Sequence, residues 1–155
     1  MTNALAGKQP LNSTLTDLSG KSVAGILEYL GLGEVGAAGV ATGAMGTSGY
    51  AIFPMMIGSI RRTFIIQWGS LSPLKSGNTV EISLPVAFPN LFMQAFATHD
   101  NATQFTRPTV YALSTTSRTV LSATATCLNA PAVGVGVTRS SDDAACFGRY
   151  IAIGY

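Results

Sequence analysis

Two stretches decide the fold class: Arg61-Arg-Thr-Phe-Ile-Ile-Gln-Trp-Gly69 and Thr79-Val-Glu-Ile-Ser-Leu-Pro-Val86. In the first, Phe64, Ile66 and Trp68 alternate with Thr63, Ile65 and Gln67. In the second, Val80, Ile82, Leu84 and Val86 alternate with Thr79, Glu81, Ser83 and Pro85. Successive side chains of a strand point to opposite faces, so a period of two with one apolar face marks a half-buried strand. Between them, Ser72-Pro-Leu-Lys-Ser-Gly-Asn78 has turn chemistry. Further strands are expected at 91–98, 108–115, 118–128 and 147–155. Polar loops are expected at 98–108 and 138–144. Strands at such short spacing, with no helical period between them, predict a mainly β protein with an antiparallel β-sandwich or barrel-like knob.

Upstream the pattern changes. Residues 1–20 are polar with leucines at 5, 11, 15 and 18, too few to offset the entropy of ordering the segment alone. Residues 5–18 read like the middle of a longer chain, which predicts a C-terminal portion. Ser22 stands where a helix N-cap belongs, and Val23, Ile26, Leu27 and Leu30 follow at helical spacing. Gly31 and Gly33 stop the helix. So short a helix is marginal in water, and its apolar stripe has no second helix to pack on. The same helix of another chain is the expected partner.

Next comes Gly33-Glu-Val-Gly-Ala-Ala-Gly-Val-Ala-Thr-Gly-Ala-Met-Gly-Thr-Ser-Gly49, and residues 35–60 carry no charge. The three-residue glycine period breaks after Gly39 and the segment lacks proline, which argues against a collagen helix. The uncharged run is long enough to span a bilayer. However, Gly, Ala and Thr dominate it, and no basic anchors flank its N-terminal side. It has no Gly-Lys-Ser/Thr ending, so it is no phosphate loop. Gly20-Lys21-Ser22 lacks the glycine and strand that such a loop needs upstream.

Composition narrows the function. Among 155 residues, 10% are charged and 47% apolar, against roughly 25% charged in an average globular protein. Much of the surface is therefore either buried against other chains or covered by Ser, Thr, Asn and Gly. The net charge is +2 with scattered cations, a poor footprint for nucleic acid. Cys127 and Cys146 have no metal spacing and read as small buried side chains, with one disulfide left open. No secretory signal pattern begins the chain.

The residues offer little for catalysis. The single histidine, His99, lacks the further ligands a metal site needs. Asp100, its neighbour in sequence, is badly placed to orient its ring in a nucleophilic triad. The acidic residues of the β region are Glu81, Asp100, Asp142 and Asp143. Asp142 and Asp143 are adjacent and point apart on an extended segment, and a carboxylate pair for sugar hydrolysis between two chains stays open. A tailspike-like polysaccharide depolymerase is the rival reading. The expectation is a binding protein, with no metal and no cofactor. Candidate receptor contacts are His99, Asp100, Asn101, Gln104 and Arg107, with Tyr111, Arg139, Ser140, Asp142 and Asp143. Hydroxyls, amides, Arg and aromatic rings suit sugars.

Several stretches, in order, resemble one family. Gln9-Pro-Leu-Asn-Ser-Thr-Leu-Thr-Asp-Leu-Ser19 and Lys21-Ser-Val-Ala-Gly-Ile-Leu-Glu-Tyr-Leu-Gly-Leu-Gly33 resemble the distal shaft of contractile-phage tail fibres. Phe64-Ile-Ile-Gln-Trp-Gly69 resembles the first strand of their C-terminal knob. Leu84-Pro-Val-Ala-Phe-Pro-Asn90 and Arg149-Tyr-Ile-Ala-Ile-Gly-Tyr155 look like the same family. The resemblance implies an intertwined homotrimer at the distal tip of a virion's tail fibre. It further implies binding of a bacterial surface glycan such as lipopolysaccharide, no catalysis, and often an assembly chaperone. Tips of tail-like bacteriocins are similar. The metal-binding His-x-His motif of some fibres is missing here. Three regions follow: a distal shaft with its helix at 1–34, a neck at 35–60 and a receptor-binding knob at 61–155. In the neck, Gly36, Gly39, Gly43 and Gly46 are expected to let three chains approach one axis.

Overall fold

The computed structural model describes residues 13–32, 39–71, 74–101, 106–140 and 144–155. Two short helices come first, α1 (Ser13–Leu18) and α2 (Val23–Tyr29). The Ser22 hydroxyl caps α2 by accepting from Gly25 N–H at 3.2 Å, and Gly31 follows the helix at φ +70°. Neither helix has a buried residue. The turn of helix at α1 was not expected from the spaced leucines. Among the described residues nothing buries the stripe of α2: Val23 and Leu30 are exposed and Ile26 and Leu27 half-buried.

The remainder is antiparallel β. Strands β1 (Thr42–Ala44), β2 (Gly49–Ile57), β3 (Ile60–Ser70), β11 (Gly148–Gly154) and β6 (Phe92–His99) form one five-stranded sheet, in the order β1-β2-β3-β11-β6. Strands β5 (Thr79–Ser83), β8 (Val120–Asn129) and β7 (Thr109–Ser114) form the second sheet, with β9 (Thr138–Arg139) paired to the end of β8. A two-stranded ribbon of β4 (Leu74–Lys75) and β10 (Ala145–Cys146) completes the set. The core lies between the two main sheets. Leu121, Ala123, Ala125 and Cys127 of β8 face Ile65, Ala95, Tyr150 and Ala152 of the large sheet, with Phe88 and Phe92 stacked at 4.8 Å. Both cysteines are buried and unbridged.

Strands β6, β7, β8 and β11 fall at the four further positions expected, and β5 covers Thr79–Ser83, the first part of the alternating stretch 79–86. Strand β3 does not present the expected face. The more apolar set, Phe64, Ile66 and Trp68, is only half-buried, whereas the core takes Ile65, Gln67 and Gly69. The physical reason is the Gln67 amide. Its Nε2 donates to Val86 O at 2.8 Å and its Oε1 accepts from Val86 N–H at 2.8 Å. A fully buried amide is tolerated when both ends are hydrogen-bonded. Here it holds the 84–91 connector as a strand partner would.

The uncharged stretch also differs from its reading as a neck. Its residues 42–44 and 49–57 are strands β1 and β2 of the large sheet. The expected boundary at 60/61 falls in a hairpin whose two-residue turn, Gly58-Ser59, has Gly58 at φ +61°. Gly43 leaves no room for a Cβ against Tyr50 O across the β1–β2 pair. At Gly39 (φ +101°) a Cβ would lie 2.6 Å from Arg61 Nη2. Gly46 offers its carbonyl to Trp68 Nε1 at 3.0 Å. Gly36 lies outside the described residues.

Candidate functional site

The three knob stretches that carried the resemblance are neighbours in space. Strand β3 pairs with β11, Gln67 holds Val86, and Tyr155 exchanges backbone hydrogen bonds with Leu91 and accepts one from Asn90. Tyr155 and the 90–91 segment lie at the β2–β3 hairpin end of the sandwich. Gly39 lies at this end too, against Arg61 and Pro54 near the tip of the β2–β3 hairpin.

The polar candidates gather at the opposite end. His99 ends β6, Asp100 and Asn101 follow it, and Arg107 precedes β7. Arg107 donates from Nη2 to the Ser140 hydroxyl at 3.2 Å, which ties the loop before β7 to the segment after β9. Ser140 N–H is in turn held by Cys127 O at 2.8 Å. Arg139 is exposed on β9. Asp100 is anchored twice: its backbone N–H donates to Phe147 O at 2.9 Å, and its Oδ2 accepts from Arg149 Nε at 2.6 Å. Arg149 was missed in the sequence because it belongs to the next strand. Only the β6–β11 register, which sets Arg149 beside Thr98, brings it to Asp100.

Two candidates are partly committed inside the fold. The Tyr111 hydroxyl donates to Phe147 O at 2.5 Å, joining the small sheet to the start of β11. Gly148 makes room for that ring, since a Cβ there would lie 2.6 Å from Tyr111 Cζ. Burial pushes the Tyr111 phenol up to about 12, with a smaller opposing effect from Thr109. His99 Nε2 lies 3.0 Å from Asn101 O, so that nitrogen carries the proton. Among the described residues its buried Nδ1 has no hydrogen-bond partner. Gln104, Asp142 and Asp143 lie outside the described residues. Among the described residues no group of three or more His, Cys, Asp or Glu could hold a metal, and no helix is long and apolar enough to cross a membrane.

The outsides of the two sheets contrast. On the small sheet, Thr79, Glu81, Ser83 and Thr124 face outward, and the Thr79 and Thr124 hydroxyls are 2.6 Å apart. On the large sheet, the register aligns Trp68 with Ile151 and Phe96, Ile66 with Ile153 and Ala51, and Phe64 with Phe53. Two shallow clefts mark this face. One, about 220 Å³, is lined by Trp68, Phe96, Arg149 and Ile151 among others. The other, about 320 Å³, is lined by Met55, Ile57, Phe64, Met93 and Tyr155 among others.

Residues 62–155 match the family model described as "Putative tail fiber protein gp53-like, C-terminal". The chain belongs to that tail-fibre family. It is 35% identical over 100 residues to "Uncharacterized protein StfP" of Escherichia coli K12, covering 63% of this chain and 46% of that protein. Solved structures agree on the fold. An N-truncated R2-type pyocin tail fibre superposes with a TM-score of 0.57 at 18% identity, covering 87% of this chain and 43% of its own. An R1 pyocin fibre of P. aeruginosa gives 0.57 at 18%, covering 96% and 35%. The chain thus spans less than half the length of these relatives. The gp53-like tail-fibre domain is matched from within β3 onward, so β1 and β2 precede the matched region while sharing its sheet.

Proposed function

We propose that this chain is the receptor-binding tip of a homotrimeric fibre on a phage or tail-like bacteriocin, and that it binds a bacterial surface glycan such as lipopolysaccharide. The observation that carries the reading is polarity along the knob. The described chain enters at the β2–β3 hairpin end, and His99, Asp100, Asn101, Arg107, Arg139 and Ser140 collect at the other. A fibre held at one end presents the far end to a cell. The groups found there, guanidinium, hydroxyl and carboxylate, match sugar hydroxyls and acidic sugar substituents. The role is binding rather than catalysis. Three copies per tip and several fibres per particle raise the local concentration of sites, so weak single contacts add to firm adsorption. A fibre-assembly chaperone is the expected folding partner.

Binding of the purified tip to host cells tests this. Arg107→Ala or Arg139→Ala should weaken binding by about ten-fold per site, the scale of one charge-assisted hydrogen bond, with the melting temperature unchanged. Unchanged binding for both would remove this end from the receptor site. Steady release of oligosaccharides from host polysaccharide would replace the binding role with a depolymerase.

A further inference from the structure

The outside of the large sheet is the most apolar surface of the knob. Phe96 is 53% exposed, and Ile57 and Ile60 at the hairpin tip are 61% and 56% exposed. By strand parity Ile57, Ile60, Phe64, Ile66 and Trp68 share one face, and Ile151 and Phe96 continue it. The β2–β3 hairpin also runs past the sandwich. Strand β11 ends opposite Ile65, so, among the described residues, positions 60–64 of β3 have no partner strand on that side. An apolar arm with an open backbone edge is a docking element, because such edges associate unless covered.

We infer that this face and the β2–β3 arm form the surface on which a second copy of the same chain docks. The inference rests on the oligomeric reading above and goes beyond it by assigning the surface. Three observations select a copy of the chain over another partner. The first is the pattern of exposure: among the described residues Phe53, Ile57, Ile60, Phe96 and Ile151, each more than a third exposed, share this one sheet face. The two helices likewise bury no residue among the described ones. A closed ring of copies covers both unpartnered surfaces at once.

The second observation is charge. By register the strands of this face carry no carboxylate; Arg149 is paired with Asp100 at the edge of the face, and Arg61 and Arg62 lie on the arm. The body of the face is thus neutral and suits an equally neutral face. The third is the contrast with the small sheet, whose outer face is mostly Thr, Ser and Glu81, with Val110 and Ala112 among them, and so suits water better.

Light scattering on the full chain tests the inference. The wild type should weigh three chains. Phe96→Glu combined with Ile151→Glu should reduce that to one chain, and Val110→Glu on the small sheet should leave it unchanged. Because the double variant could fail to fold, thiol accessibility provides a second reading. Phe96→Cys should react with a maleimide at least ten-fold more slowly than Val110→Cys, the native Cys127 and Cys146 being buried. A three-chain wild type in which both introduced thiols react equally fast would overturn the assigned face and leave the assembly standing. A wild type of one chain would overturn the assembly itself, and this inference with it.

Discussion

At the scale of single residues, Gln67 and Tyr111 show how polar groups set the geometry of an apolar sandwich. Gln67 satisfies both backbone groups of Val86. In Gln67→Leu these groups remain buried without partners, so thermal melting should show a loss of about 2–4 kcal/mol. Tyr111→Phe removes the hydrogen bond to Phe147 O and should cost about 1 kcal/mol. The same variant has a pH signature. The folded phenol ionises at about 12, the unfolded one near the ordinary tyrosine value of about 10. Between these values the unfolded chain binds fewer protons than the folded one, so stability falls as pH rises. The contribution is complete below the lower value and is lost on approaching the upper. Burial raises the Tyr150 phenol as well, so the wild type should lose stability steeply in this range. In Tyr111→Phe the urea midpoint should fall more shallowly with pH.

At the scale of elements, the glycine-rich stretch is the instructive case. Its glycines are short of space rather than simply flexible. Gly49 lies beside Trp68 in the β2–β3 register, and a Cβ there would come 2.7 Å from Trp68 Cζ2. The indole therefore lies across β2 with its Nε1–H held by Gly46 O. Gly49→Val should push the ring off the sheet. The expected result is a red shift of Trp68 fluorescence and a loss of about 1–3 kcal/mol, the usual scale of overpacking. Replacing Gly43 with Leu should separate β1 from β2, since Tyr50 O already occupies the Cβ position. Under the oligomeric reading, that change lowers assembly stability and leaves receptor preference intact. A tolerated Leu would mark β1 as dispensable.

At the scale of the whole molecule, the sandwich core draws only on residues after β2 begins, and the helices add no buried side chain. A chain starting at residue 39 should therefore still melt cooperatively near the wild-type temperature at high concentration. It should assemble less tightly, because the α2 stripe is gone. Sedimentation across a dilution series would show dissociation at higher concentration than for the full chain. Equal dissociation would mean that the helix adds nothing to assembly, and loss of the cooperative transition would mean that residues 1–38 are part of the fold.

The sequence by itself determined strands β3, β5, β6, β7, β8 and β11 and the N-cap at Ser22. Side-chain alternation, capping and turn chemistry are local, and each is set by residues within one turn or one strand of its neighbours. Tertiary structure decided which face of β3 is the core. That choice depends on Val86, nineteen residues away, which supplies the partners that make a buried Gln67 cheaper than a buried Trp68. It decided that β1 and β2 extend the knob's sheet, because glycine and alanine gain strand character only from the neighbours they pair with. It also brought Arg149 to Asp100, a pair separated by forty-nine positions and joined only by the β6–β11 register. Local chemistry names the pieces. Register and hydrogen-bond partners choose between faces that a single strand leaves nearly equal.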